Sequence, residues 1–193
     1  MTDITLMSRD DLARELISVP GARINAAAQS VSEAPTSSGT PAFDKQLQRK
    51  LDVAREILLR DLAEPLKRSW TLSSSAAVRE WLAIRYCRVE REIFIALFLD
   101  VEMRLICTED VATGTLTRVK VYPREVVKSA LRHNACFILF AHNHPSGEIQ
   151  PSKEDVLVTF LLNNAMATVD IKVLDHVIVG AGNFYSFADK GLL

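Results

Sequence analysis

The chain has 193 residues, of which 48% are hydrophobic, and its formal net charge is −1. This composition predicts one folded domain with an extension, and it excludes a chain that is disordered throughout. A net charge near zero gives no electrostatic basis for binding nucleic acid or a membrane surface. Only small basic clusters such as Lys67-Arg68 remain for DNA, and clusters of this size are usually solvated helix faces.

The cysteines and the apolar segments predict the compartment. Cys87, Cys107 and Cys136 are scattered without C-x-x-C spacing, which is typical of small core residues in a reducing compartment. Residues 1–4 lack the basic flank and apolar run of a signal peptide, and no apolar stretch is long enough to span a bilayer. We therefore expect a cytoplasmic protein with no membrane partner.

The amino-terminal third predicts helices joined by a connector. A helix begins at Ser8–Asp11 and ends near Pro20-Gly21. Residues 30–41 are rich in Ser, Thr, Pro, Ala and Gly, which is typical of a flexible connector. Between Phe43 and Leu62 apolar residues recur every three to four positions, which predicts an amphipathic helix ending near Pro65. Its apolar stripe would pack on the domain or on a second copy of the chain. The predicted segments are 1–42 (helix and connector), 43–71 (amphipathic helix) and 72–193 (main domain).

The rest of the chain alternates strands and helices. The predicted elements are a helix capped by Ser73–Ser75 and running to Cys87, a hairpin of strands 92–100 and 104–111, a strand at 116–121, a helix at 123–133, a strand at 136–140, a helix at 152–168, and strands at 171–179 and 183–187. This order predicts an α/β fold in which helices cover a mixed sheet.

The segment from Ala141 to Asp155 carries the chemistry. His142 and His144 follow an apolar run, and residues two apart on a strand point to the same side. Ser152 opens a helix and Asp155 lies in its first turn. Two imidazoles and one carboxylate can hold zinc with a fourth position open for water, which is the catalytic arrangement. A simpler reading is that Ser152 and Asp155 only cap the helix and that the histidines are solvated.

These residues resemble a known family. His-x-His-Pro, six residues, Ser, two residues and Asp matches the JAMM (JAB/MPN) metalloprotease signature at each fixed position. Val121–Val126, His142–Gly147, Pro151-Ser152 and Leu174–His176 resemble the RadC-like branch of that family, over about residues 72–193. The resemblance implies a JAB/MPN fold, which is similar to cytidine deaminase.

The resemblance also implies a mechanism and roles. It implies a Zn²⁺-dependent hydrolase of amide bonds that acts on a peptide or isopeptide substrate, with His142, His144 and Asp155 as metal ligands. Ser152 resembles the serine that donates a hydrogen bond to the oxyanion. The general base would be a glutamate from an earlier strand, and Glu109 is our prediction. Asp110 is the alternative, because adjacent strand residues face opposite sides.

Two further predictions concern residues around the metal. Asp175 or His176 could support a metal-bound histidine. His133, at a helix end, could simply complement the helix dipole.

Other functions stay open at this point. A nucleobase deaminase would require H-x-E and P-C-x-x-C, and the chain has neither. Two histidines and one carboxylate also fit a non-haem iron(II) oxygenase. A DNA-repair or mobile-element accessory protein, or an inactive scaffold, is a third class. RadC-like proteins often begin with a helix-hairpin-helix module. Residues 19–22 (Val-Pro-Gly-Ala) have only weak similarity to its glycine hairpin. The sequence specifies neither the substrate nor the oligomeric state, although the apolar stripe could serve a dimer.

Overall fold

The computed structural model describes residues 3–18, 41–68, 74–114 and 121–193. The chain divides into two compact units, Met1–Arg60 and Asp61–Leu193. Four predictions lie outside the described residues: most of the connector at 30–41, the hairpin remnant at 19–22, the cap at Ser73, and the strand at 116–121. No helix in the described ranges is both long enough and apolar enough to cross a membrane.

The first unit is helical, as predicted. Helix α1 (Arg9–Ile17) begins where the Ser8 side chain accepts the backbone N–H of Asp11 at 3.1 Å. Helix α2 covers Pro41–Arg68. The carboxylate of Glu15 on α1 pairs with the Arg49 guanidinium on α2, and the Lys50 ammonium donates to backbone carbonyls at the end of α1, so polar contacts join the two helices.

Two details of α2 differ from the prediction. The helix continues for three residues past Pro65, although a proline supplies no backbone N–H to a helix. The predicted stripe leaves Leu47, Leu51 and Leu58 more than two-fifths exposed, whereas Val53, outside the stripe, is fully buried. The stripe as a dimer surface stays a prediction.

The second unit contains a five-stranded mixed sheet. Its elements are α3 (Ser74–Tyr86), β1 (Ile93–Leu99), β2 (Leu105–Thr113), α4 (Pro123–Arg132), β3 (Phe137–Asn143), α5 (Lys153–Ala167), β4 (Lys172–Gly180) and β5 (Asn183–Ser186). The strand order is β2-β1-β3-β4-β5. Only β3 and β4 are parallel, and the other neighbouring pairs are antiparallel. The predicted α/β fold with a mixed sheet and a helical amino-terminal region is confirmed.

Helices α4 and α5 cover one face of the sheet. Alternate residues of β1, among them Phe94 and Phe98, join Ile138 and Phe140 of β3 in one buried cluster. Leu162 and Met166 of α5 and Val126 and Ala130 of α4 close this cluster. Burial of this apolar surface is the main stabilising contribution to the unit.

Helix α3 covers the opposite face. Arg85 of α3 pairs with Asp110 of β2 at 2.6 Å, on the side of the sheet toward which Ile95 points. The buried Tyr86 hydroxyl lies 2.9 Å from the backbone oxygen of Ala141 and 3.1 Å from that of Ile93. The end of α3 is therefore anchored where β1 begins and β3 ends.

One edge of the sheet gathers the polar residues. The carboxyl ends of the parallel strands β3 and β4 meet there, and the start of the antiparallel strand β1 lies beside them. Ligand sites of open α/β sheets form at such carboxyl ends. The predicted metal ligands follow β3 at this edge.

Candidate metal centre

Three side chains from two segments converge at the end of β3. His142 is the penultimate residue of the strand, His144 follows it, and Asp155 lies in the first turn of α5. The Nε2 atoms of the two histidines are 2.9 Å apart. The Asp155 carboxylate oxygens lie 3.2 Å from Nε2 of His142 and 3.5 Å from Nε2 of His144. The structure thus brings together the three side chains that the sequence predicts as ligands.

A buried chain of hydrogen bonds fixes the tautomer of His142. The Thr159 hydroxyl donates to the backbone carbonyl of Asp155 at 2.6 Å, since a carbonyl only accepts. The hydroxyl oxygen of Thr159 therefore accepts the Nδ1–H of His176, also at 2.6 Å. Complete burial holds the pKa of His176 well below its ordinary value, so this ring is neutral and its Nε2 is a lone pair. That lone pair accepts the Nδ1–H of His142 at 2.8 Å, which leaves Nε2 of His142 without a hydrogen.

A backbone carbonyl fixes the tautomer of His144. Its Nδ1 lies 2.7 Å from the carbonyl oxygen of Glu148 and must donate to it. The neutral His144 ring then has no hydrogen left for Nε2. Two nitrogen lone pairs face each other at 2.9 Å beside a carboxylate, an arrangement that repels itself unless a cation lies between them.

The spacing of these atoms fits a small metal ion. Ligands at the ~2.0–2.1 Å bond lengths of zinc in a tetrahedral shell lie about 3.3 Å apart. The observed separations are 2.9, 3.2 and 3.5 Å. A proton shared by the same atoms is the alternative to a metal ion, and the hydrogen bond with Asp155 accordingly raises the pKa of His144. Two imidazole nitrogens and a carboxylate can hold zinc and also iron(II).

Ser152 orients the carboxylate of Asp155. Its hydroxyl donates to Asp155 Oδ2 at 2.6 Å and its backbone N–H donates to the same oxygen at 2.7 Å. Burial alone would raise the pKa of Asp155, but its contacts with the two imidazoles and the Ser152 hydroxyl hold that pKa well below the ordinary range. The predicted capping role of Ser152 and Asp155 is therefore observed, and it leaves Oδ1 of Asp155 facing His142. The hydrogen that Ser152 would give to an oxyanion is donated to Asp155 in this structure, so its oxyanion role stays a prediction.

Glu92 is the fourth side chain of the cluster, beside His142, His144 and Asp155. It directly precedes β1, and a carboxylate oxygen lies within 4.8 Å of the ligand atoms. Burial raises the pKa of Glu92 above its ordinary value. Asn143, itself only 4% exposed, accepts the backbone N–H of Ile93 at 2.8 Å and donates to the carbonyl of Arg91 at 2.9 Å. The middle residue of the His-Asn-His sequence thus clamps the backbone on both sides of Glu92.

Glu109, our predicted general base, lies elsewhere. Its Oε2 accepts the hydroxyl of Ser129 at 2.7 Å, and its Oε1 lies 2.6 Å from Nε2 of His133. The hydrogen bond with His133 lowers the pKa of Glu109. Asp110 points to the other face of the sheet, as predicted, and pairs with Arg85. Neither acid belongs to the group of side chains around His142 and His144.

Strand pairing explains why Glu109 lies away from the metal cluster. Glu109 pairs with Ala96 of β1, which pairs with Phe140 of β3. Glu109 is thus two strands away from β3, and neighbouring strands are about 4.8 Å apart. Its carboxylate meets α4 on the covered face of the sheet instead of the open edge.

The same strand pairing predicts that Glu92 lies beside the metal cluster. In the antiparallel register of β1 and β3, Phe94 lies opposite His142. Continuing the register by two residues puts Glu92 level with His144. A sequence argument that had paired these two strands would have found Glu92.

Of the two residues predicted to support a ligand, His176 contacts His142. Asp175 instead accepts the Ser186 hydroxyl at 2.6 Å and the backbone N–H of Ala188 at 3.0 Å. It therefore fastens the carboxyl-terminal turn and takes no direct part in the cluster.

Comparison with known proteins agrees with this geometry. The family model of the RadC-like JAB domain matches residues 72–192. This chain belongs to the RadC-like JAB domain family. Among curated relatives, a UPF0758 protein of Nitrosomonas europaea is 43% identical and one of Nitrosospira multiformis is 45% identical, each over all of this chain and 84% of the relative. A UPF0758 protein of Ralstonia nicotianae is 42% identical over 94% of this chain and 80% of its own length. Family membership and a cluster able to hold a metal ion are consistent with a metal-dependent hydrolase.

Proposed function

We propose that this chain is a zinc-dependent hydrolase of amide bonds, of the metallopeptidase or isopeptidase type. The observation that carries the proposal is the convergence of the Nε2 atoms of His142 and His144, 2.9 Å apart, on the Asp155 carboxylate, with Glu92 beside them. Three such ligands leave a position for water and substrate, whereas structural zinc sites are closed by four protein ligands.

Each residue has a defined task. His142, His144 and Asp155 would hold the ion, which when bound polarises a carbonyl oxygen and makes water acidic enough to attack it near neutral pH. The His176–Thr159 chain keeps the hydrogen of His142 on Nδ1, so that Nε2 is always available. Removing such a supporting contact typically lowers metal affinity or activity by about 10- to 100-fold.

Glu92 takes the place of Glu109 as the proposed general base. A hydrolase needs a group that removes a proton from the attacking water and passes it to the leaving amine. The pKa of Glu92 is raised by burial, which moves it toward the range in which a carboxylate both accepts and releases a proton near neutral pH. The Asn143 clamp holds it in place.

The test compares Glu92→Gln with wild type. Zinc-loaded full-length protein is incubated with peptide and isopeptide libraries, and products are identified by mass spectrometry. We expect wild type to cleave and Glu92→Gln to retain zinc while losing about 10²- to 10⁴-fold in rate. Glu90→Gln is the matched control, because Glu90 is exposed and two residues away; it should cleave like wild type.

The outcomes separate the alternatives. If Glu92→Gln loses zinc, Glu92 is a fourth ligand, the site is closed, and the hydrolase proposal fails. Undiminished cleavage by Glu92→Gln would remove its role as base. Reloading the stripped protein with iron(II) and finding oxygen-dependent products, with no zinc-dependent cleavage, would favour the oxygenase class.

A further inference from the structure

A cleft of about 330 Å³ adjoins the metal centre, and His144 lines it. One wall is the end of α3 and the turn after it, from Ala83 to Val89. The other walls are Pro145 and the β4–β5 turn, Val179–Gly182. Because His144 belongs to both the cleft and the metal cluster, a molecule in the cleft would lie next to the reacting position.

About half of the residues that line the cleft are small and apolar or glycine. Ala83, Val89, Pro145, Val179 and Ala181 offer methyl and methylene surface. Two glycines of the β4–β5 turn add bare backbone. A cleft of 330 Å³ is about 9 Å across, the length of two to three extended residues at ~3.3–3.6 Å each. The space therefore fits a short peptide segment with small side chains.

Arg88 is the one lining residue with a permanent charge. Within residues 3–18, 41–68, 74–114 and 121–193, no residue forms a hydrogen bond or ion pair with its guanidinium. Its backbone has φ of +62°, which costs a residue other than glycine about 1–2 kcal/mol. Ala181 across the cleft is also left-handed, with φ of +48°. Both residues lie in turns, one after α3 and one between β4 and β5, where left-handed backbone is common.

We propose that the cleft is the substrate subsite for a short peptide segment that ends in a carboxylate, and that Arg88 binds this carboxylate. An arginine presents a planar fork of donors that matches a carboxylate, and Arg88 is the one lining residue that is always charged. The proposal rests on the proposed hydrolase function and specifies its substrate: the scissile bond would lie within two to three residues of a free carboxyl terminus.

Binding is measured apart from cleavage. The probes are N-acetyl-Ala-Ala with a free carboxylate and the same dipeptide as its carboxyl-terminal amide, titrated by NMR into zinc-loaded and metal-free full-length protein. We expect the carboxylate form to bind at least about ten-fold more tightly than the amide, since charge-assisted hydrogen bonds are roughly twice as strong as neutral ones. The preference should persist without zinc, because it belongs to Arg88.

Three variants test the assignment. Arg88→Gln should abolish the preference, and Arg88→Lys should retain part of it because it restores the charge without the fork. Arg124→Gln on α4 makes the same change in net charge away from the cleft and should leave the preference unchanged. Cys87 lines the cleft, so the carboxylate probe should also slow its alkylation by iodoacetamide, with Cys107 and Cys136 as internal references.

Each outcome decides the proposal. Equal binding of the two probes, no binding of either, or a preference that survives Arg88→Gln overturns it. A preference that survives Arg88→Gln and needs zinc would place the carboxylate on the metal instead. Arg88-dependent binding without any peptide cleavage would leave the subsite standing and refute the proposed function. Cleavage that is indifferent to a free carboxyl terminus would refute the subsite and leave the hydrolase.

Discussion

Replacing Asn143 by alanine should destabilise the sheet domain and impair Glu92 without removing a metal ligand. The substitution leaves the buried N–H of Ile93 without its acceptor, which costs about 1–3 kcal/mol. It also removes the donor to the Arg91 carbonyl, worth about 0.5–1.5 kcal/mol. Together these give a loss of about 2–4 kcal/mol and a fall in Tm of roughly 5–15 °C for a domain of this size.

Calorimetry, a zinc titration and cleavage kinetics measure these effects. Asn143→Ala should melt earlier, bind zinc within a few-fold of wild type, and show a lower kcat with little change in KM. Asn164→Ala is the matched control, because Asn164 is exposed on α5; it should change stability by no more than about 0.5 kcal/mol. A melting temperature equal to wild type would refute the clamp, and an unchanged kcat would refute its effect on Glu92.

Three further predictions follow from other contacts. Glu109→Gln should lower stability by about 1 kcal/mol, because the charged carboxylate accepts a hydrogen bond from α4 and pairs with His133, and zinc affinity should not change. Burial raises the pKa of Tyr86 well above its ordinary value. The unfolded chain therefore releases the phenolic proton first as the pH passes 10, and stability should fall by up to about 1.4 kcal/mol per pH unit. Gly180→Ala should weaken zinc binding, because a Cβ there would lie 2.6 Å from the backbone oxygen of Gly147 in the loop that follows His144.

Each of these has its own check. For Glu109→Gln, a loss of zinc in the titration would place that residue back in the metal site. For Tyr86, urea unfolding at pH 9 and pH 11 is compared with Tyr86→Phe, and an equal loss of stability in both proteins would contradict the assignment. For Gly180→Ala, the control is Gly182→Ala, which strains a backbone at φ +79° but puts the added Cβ within 4 Å of no atom. Equal zinc affinity of the two alanine variants would count against the steric explanation.

The sequence predicted the fold well where periodicity is local. Strong β-formers, turn residues and the cap at Ser152 each act within a few positions, so the ends of α4 and α5 were placed within one residue. The end of α2 was placed at Pro65, three residues early, because proline is only a local signal that a helix can continue past. The predicted metal ligands meet because one strand, one loop and one helix start determine their placement.

The general base depends on long-range pairing. Glu92 precedes the first strand of the hairpin and Glu109 lies within the second, and local sequence does not tell which end of β1 lies beside His144. That is decided by the antiparallel register of β1 with β3, in which Phe94 faces His142. The role of His176 depended on a similar feature, a register shift between Ile138 and Leu139 where β3 meets β4.

The proposed function depends most directly on one divalent ion held by His142, His144 and Asp155. The deciding measurement is a zinc titration of the stripped full-length protein against a competing chelator, with the metal content of each variant determined by mass spectrometry. We predict one zinc per chain in wild type, at least about 100-fold weaker binding in His144→Ala, and wild-type affinity in the matched control His133→Ala. Zinc binding by His144→Ala as tight as that of wild type, or no stoichiometric zinc in wild type, would contradict the account.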